Sequence, residues 1–226
     1  MSHRDNILRI KSVDNALGDL RDKVVYVGGS TISLYADRYV QEVRVTLDVD
    51  VLVELLNYNE RIALEQKLHK IGFENDFESG IICRYKYGST IVDIVPTIEA
   101  PMGFTNRWYA EGFTNAVDYT IDELHTIKIL TVPYFLATKL EAYKSRGKGD
   151  GRMSRDFEDI VFVLENRTAV WAELDVMQGS IKDYLKESFA ELLKNPNIYE
   201  WVDSHVERGS PPQTTEIISA LRKFCA

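Results

Sequence analysis

Cysteine is scarce: Cys83 and Cys225 are the only two in 226 residues, and they lie too far apart for a metal-ligand spacing. With so few, no disulfide framework is expected, and a reducing, cytoplasmic compartment is the simplest setting. Histidine is equally sparse. His3, His69, His125 and His205 are scattered without zinc-type pairing, so each reads as a surface or core residue rather than a ligand. Long apolar runs are missing too, and nothing approaches the roughly twenty residues that a membrane-spanning helix needs. The opening Met1-Ser2-His3-Arg4-Asp5-Asn6 is polar and shows no apolar signal segment, so a soluble protein without membrane contact is expected. Positive charge is in deficit: 27 Lys and Arg against 35 Asp and Glu give a net charge of -8. That excludes a general nucleic-acid-coating surface, while a local basic patch can still hold phosphates. Internal repeats and low-complexity tracts are absent.

What is present is enough apolar material for a core. Hydrophobic residues make up 45% of the chain, which suits one large domain or two small ones. Ile7, Ile10, Val13, Leu17 and Leu20 share one face of a predicted helix over 5–21. Val24 to Val27 reads as a strand that stops at Gly28-Gly29, followed by a short helix over 30–39. Leu47 to Leu55 is the clearest strand, with Leu47, Val49, Val51 and Val53 on one face and Asp48, Asp50 and Glu54 on the other. A helix over 59–70 closes at Gly72, and strands over 81–86 and 90–95 flank a hairpin turn at Tyr87-Gly88-Ser89. Residues 96–114 are loop-rich. Pro133 suits the first turn of a helix running to about Arg146; Ser154 suits the cap of the next. Ser180 and Asp183 fit a further capping pattern, and Pro211-Pro212 breaks the chain before a last helix. The expected fold is α/β (α+β): a mixed sheet flanked by helices over residues 1–125, then a helical domain over 126–226.

Three elements carry chemistry. Gly28 and Gly29 let the backbone approach a ligand closely, at a turn whose free N–H groups favour phosphate, and Ser30 adds a hydroxyl. By itself such a turn is usually only a turn. Asp48 and Asp50 project from one strand face, where like charges repel unless a cation lies between them. Mg²⁺ or Mn²⁺ suits oxygen ligands of this kind and leaves room for substrate phosphates. Asp93 sits in Ile91-Val92-Asp93-Ile94-Val95, where a charge must be paired or metal-bound. It is either a third metal ligand or a buried carboxylate satisfied by an arginine.

In order, spacing and strand context, these elements resemble the nucleotidyltransferase superfold shared with DNA polymerase β. The segment Thr131-Val132-Pro133-Tyr134-Phe135-Leu136-Ala137-Thr138-Lys139-Leu140-Glu141-Ala142, followed by Ser154-Arg155-Asp156-Phe157-Glu158-Asp159-Ile160, narrows the likeness. It resembles the abortive-infection, AbiEii-type nucleotidyltransferases, toxins of toxin–antitoxin pairs, some of which add nucleotides to tRNA. The likeness covers about residues 24–165. It implies Asp48, Asp50, Lys139 and Asp156 as catalytic residues, with Asp48 and Asp50 at the metal, and the superfold pattern adds Asp93 as the third acid of the catalytic and metal set. It also implies Gly28, Gly29 and Ser30 at the triphosphate, with Asp159 one helical turn from Asp156. A nucleoside triphosphate, tRNA or another acceptor, and an antitoxin protein are the implied partners. Residues 146–153 form a Gly-rich basic loop in which Arg146, Lys148 and Arg152 are candidates for acceptor phosphates; the alternative is a solvated interhelical loop. Transfer to a small molecule of the antibiotic kind, transfer to protein, and an inert nucleotide-binding module are the competing readings.

Overall fold

The computed structural model describes residues 2–38, 43–55, 57–97, 106–209 and 211–226. The chain divides into two compact units, Met1–Ser33 with Gln41–Thr131, and Leu34–Val40 with Val132–Ala226. No helix among the described residues is long and apolar enough to cross a membrane.

The first unit is built on a mixed sheet. Its strands are β1 (Val24–Val27), β2 (Asp48–Val53), β3 (Glu74–Asn75), β4 (Arg84–Tyr87), β5 (Thr90–Pro96), β6 (Val117–Asp122) and β7 (His125–Ile129), in the order β3-β4-β5-β2-β1-β7-β6. The expected acid-bearing strand is therefore interior: β2 lies between β1, antiparallel, and β5, parallel. All four β1 residues are buried, as a Val-Val-Tyr-Val run buried on both faces should be. The strand expected over 81–86 begins later, at Arg84, and pairs with β5 from Tyr87↔Thr90, leaving Gly88-Ser89 as a two-residue turn with Gly88 at φ 58. The β6–β7 hairpin escapes a hydrophobic-pattern reading because β6 has no fully buried residue.

Helix α1 (Ser2–Leu17) buries Ile10, Val13 and Leu17 against β2, β5 and β7. Tyr26 Oη donates to the buried Asp14 of α1 at 3.3 Å, and Tyr26 pairs with Val51. So α1 covers the Val49–Val51–Val53 face and leaves Asp48 and Asp50 on the other. Burial pushes the Asp14 carboxyl up. Asn6 holds the approach to β2, donating to the Arg44 carbonyl and accepting from Thr46 N–H at 3.0 and 3.1 Å. Helix α2 (Tyr58–Lys70) is capped by Asn57, and Gly72 beyond it takes φ 95. In place of the α-helix expected over 30–39, Gly29–Tyr35 is 3-10. A short helix α3 (Tyr109–Thr114) lies within the segment expected to be loop.

The second unit is helical: α4 (Val132–Arg146), α5 (Arg155–Asn166), α6 (Val170–Asp175), α7 (Ser180–Leu193), α8 (Ile198–Asp203) and α9 (Thr214–Cys225). Val132 through Leu140 are all buried, as suits a helix apolar nearly all round. Ser154 caps α5 as expected, its Oγ accepting from Phe157 N–H at 3.3 Å. Ser180 is not a cap: it is the first residue of α7, and Gly179 before it adopts φ 72 with no side-chain bond. Capping instead appears at α9, where Gln213 and Glu216 close a reciprocal box.

Tyr143, Phe157 and Trp201 pack edge-on or tilted at centroid distances of 5.4 to 6.3 Å. Gly151 lies directly against Trp201; a Cβ there would stand 2.8 Å from the indole ring. Gly151→Ala should therefore cost about 1–3 kcal/mol by overpacking. A lowered denaturant midpoint at unchanged slope is the expected result, and an unchanged midpoint would show that the contact can relax.

Candidate active site

The register Asp50↔Asp93 between β2 and β5, and Arg84↔Asp93 between β4 and β5, puts Asp48, Asp50, Asp93 and Arg84 on one sheet face. Arg84 Nε donates to Asp93 Oδ1 at 2.8 Å and its NH2 group to Oδ2 at 2.7 Å, a bidentate pair. The same NH2 group reaches Asp48 Oδ2 at 3.4 Å. Hydrogen bonding to Asp93, then the charges of Asp93, Asp48 and Asp50, holds the guanidinium further above its usual range. Asp93 is thus paired with an arginine; its side chain is 12% exposed, against 39% for Asp48. The field of these acids reaches Cys83, whose thiol is pushed up by burial and then by Asp93.

The glycine turn is built around Asp50. Gly28 has φ +75, and a Cβ on it would fall 2.0 Å from Asp50 Oδ2. A Cβ on Gly29 would meet Arg44 NH2 at 2.7 Å and Thr46 Cγ2 at 2.8 Å. The hydroxyls of this turn face inward. Ser30 is fully buried and donates to the Val27 carbonyl at 3.4 Å; Thr31 donates to the Gly28 carbonyl at 3.0 Å. Both bonds run back three residues, as 3-10 geometry dictates. The Ser30 hydroxyl, expected to add a donor for phosphate, here donates to the chain itself.

In the second unit, buried Lys139, Asp156 and Asp159 form one network with the exposed Arg146. Asp156 and Asp159 share a face of α5, and α4, which carries Lys139, packs along that helix. Lys139 Nζ stands 2.6 Å from Asp159 Oδ2 and 3.4 Å from Asp156 Oδ1. Arg146 donates to both Asp156 oxygens, at 2.7 and 2.8 Å. Burial would raise the Asp156 carboxyl, but the Arg146 hydrogen bonds and the Lys139 charge outweigh it and hold it below the usual range.

The basic loop differs from expectation. Arg146 faces Asp156, and Arg152 faces Asp150 and Glu200 at 2.8 Å each. Lys148 is exposed at φ 51. His205 Nε2 lies 2.9 Å from the Gly151 carbonyl, so the loop is tied to the helices beyond it. Two of its three candidate cations answer carboxylates of the protein itself, and Gly147 and Gly151 pack closely on Tyr143 and Trp201.

Sequence reasoning missed Arg84, Arg44 and Thr46. Arg44, Thr46, Asp48 and Asp50 alternate with Val43, Val45, Leu47 and Val49, and that period of two was the available signal. For the glycine turn, Gly28→Ala is expected to displace Asp50 and to lower nucleotidyl transfer by about 10²-fold, the scale of a misplaced reacting group. Transfer kinetics with a circular-dichroism check of folding measure it; wild-type rates would mean that Asp50 need not lie against that backbone.

No curated protein matched the chain. A family profile described as nucleotidyl transferase AbiEii toxin, type IV TA system, matches residues 13–222, across both units. With the acid-x-acid strand, the glycine turn and the Lys139–Asp156 pair in place, the chain belongs to this family of nucleotidyl transferase toxins of type IV toxin–antitoxin systems.

Proposed function

We propose that the protein moves a nucleoside monophosphate from a nucleoside triphosphate to an acceptor hydroxyl of tRNA, releasing pyrophosphate, in the cytoplasm and under the control of an antitoxin partner. The observation that carries the chemistry is the pair Asp48 and Asp50 on one face of an interior strand, with Asp50 against the Gly28 backbone. The description of the family as toxins supports a macromolecular acceptor and an antitoxin.

Mg²⁺ or Mn²⁺ is the proposed cofactor. Among the described residues no three His, Cys, Asp or Glu side chains are gathered to hold an ion. Asp48 and Asp50 fit one all the same, since Mg²⁺ is commonly held by one or two carboxylates and completes its shell with phosphate oxygens and water. When bound, such an ion neutralises triphosphate charge and favours the ionised attacking oxygen. Asp93 contributes from behind its arginine, fixing Arg84 beside Asp48. Gly28 and Gly29 let phosphate oxygens approach main-chain N–H groups. Within the helical unit Asp156 and Asp159 orient Lys139, which the family resemblance assigns to the reaction. These effects are positioning and electrostatics, which dominate phosphoryl-type transfer.

Asp48→Asn and Asp50→Asn should each lower transfer by at least about 10²-fold, the scale of losing one preorganised electrostatic group. Neither should lower thermal stability, because each removes repulsion on the acid face. The assay supplies each labelled triphosphate in turn, with Mg²⁺ or Mn²⁺ and total RNA or protein, and follows the label. Full activity in either variant rejects the metal-site reading; label on protein or on a small molecule rejects the tRNA acceptor. In a thermal-shift titration, Mg²⁺ with triphosphate should raise the melting temperature by mass action. No shift at saturating-range ligand would favour an inert fold.

A further inference from the structure

Arg146 is 69% exposed, yet it closes over a carboxylate that is only 5% exposed. Its planar fork takes both Asp156 oxygens at 2.7 and 2.8 Å, whereas Lys139 reaches Asp156 only at 3.4 Å. The nearer acid to Lys139 is Asp159, at 2.6 Å. The two acids of the motif are thus divided: Asp156 answers chiefly to the arginine and Asp159 to the lysine. Resting on the reading that Lys139 and Asp156 serve the transfer, we propose that Arg146 is a positioning residue rather than an acceptor-docking one. By holding Asp156 from its solvent side, it limits the grip of that carboxylate on Lys139 and fixes where the ammonium stands.

The physical argument is competition for one oxygen. Asp156 Oδ1 is shared between Arg146 and Lys139, and the arginine holds the shorter bond. A lysine ammonium is a point charge on a flexible stem, so its place is set by its anchors. Without Arg146, Asp156 turns wholly to Lys139 and draws the ammonium away from Asp159. A guanidinium is suited to this post because its two parallel donors lock a carboxylate in one orientation, which a lysine cannot do. The charged groups facing Asp156 are Lys139 and Arg146 from α4, with Asp159 on its own helix.

The test compares wild type with Arg146→Ala, Arg146→Lys and Asp156→Asn, as full chains, by two readouts. The first is thermal unfolding against pH without substrate. A carboxylate whose folded pKa is lowered stabilises above its unfolded pKa and loses that contribution as pH falls through the folded value. Removing Arg146 takes away hydrogen bonds and a charge that lower the Asp156 carboxyl, so in Arg146→Ala its contribution should be smaller and used up at higher pH than in wild type. Adding Arg146→Ala to Asp156→Asn should produce no further shift. The second readout is transfer kinetics: kcat should fall about 10²-fold with KM for the triphosphate much less changed, and Arg146→Lys should restore part of it. An unmoved acid limb in Arg146→Ala overturns the clamp. A moved limb with wild-type kcat makes Arg146 merely structural and overturns the positioning role. Should Arg146→Ala not fold, Arg146→Lys carries the test, with a limb moved upward and a reduced kcat expected and wild-type values in both overturning it. Absence of transfer by wild type overturns the transferase reading and the positioning role with it; the substrate-free acid limb tells that failure apart.

Discussion

Strands β2 and β5 run parallel and side by side, in a register that sets Asp50 beside Asp93 with Asp48 two residues along the same face. Three carboxylates so placed repel one another, and the sheet has to supply a cation. It does so from the next strand: β4 pairs antiparallel with β5 and delivers Arg84 opposite Asp93. The glycine turn answers the same constraint from the other side. β1 aligns Val27 with Asp50, so the chain leaving β1 passes directly over the Asp50 carboxylate, and only a residue without a Cβ fits there.

The two charged clusters solve different problems. On the sheet face, three acids meet the Arg84 guanidinium, so negative charge is in excess there, and Asp48 remains well exposed. In the helical unit, two acids meet one lysine and one arginine, which balance, and three of the four side chains are nearly buried. Balance is what burial demands, since an uncompensated charge in a core is far costlier than a paired one. An excess of acid suits a face that receives a cation; a charge-balanced network suits one that holds a lysine in place.

Much of this was legible. The interior strand with two same-face acids, the Pro-led helix and the Ser154 cap all follow from period and capping chemistry acting locally. Arg84 was missed because its partner depends on the turn: the two-residue turn at Gly88-Ser89, in place of the three residues 87–89 expected, sets residue 84 against residue 93. What sequence could not show is side-chain direction where backbone geometry rules it. Ser30 was expected to add a donor for phosphate, but a 3-10 turn returns its hydroxyl to Val27. Nor could sequence show the carboxylate partners of the basic loop, since Asp156 and Glu200 come from helices further on. The β6–β7 hairpin was missed because its outer strand lacks the buried alternation on which pattern reading depends.

The distances around Arg84 also divide labour among the acids. Asp93 is held by two short bonds, and Asp48 by one contact at 3.4 Å. A divalent ion competing for carboxylate oxygen therefore meets unequal resistance. To engage Asp93 it would have to break a bidentate, largely buried pair; to engage Asp48 it would give up only a long contact in a half-open setting. Of these two acids, Asp48 is thus the one whose present contact is the cheaper to give up. The arginine holds Asp93 in place beside Asp50, on the face that the glycine turn borders. A site of that kind is preorganised by its own protein charge, and the face need not rearrange to receive its ligand.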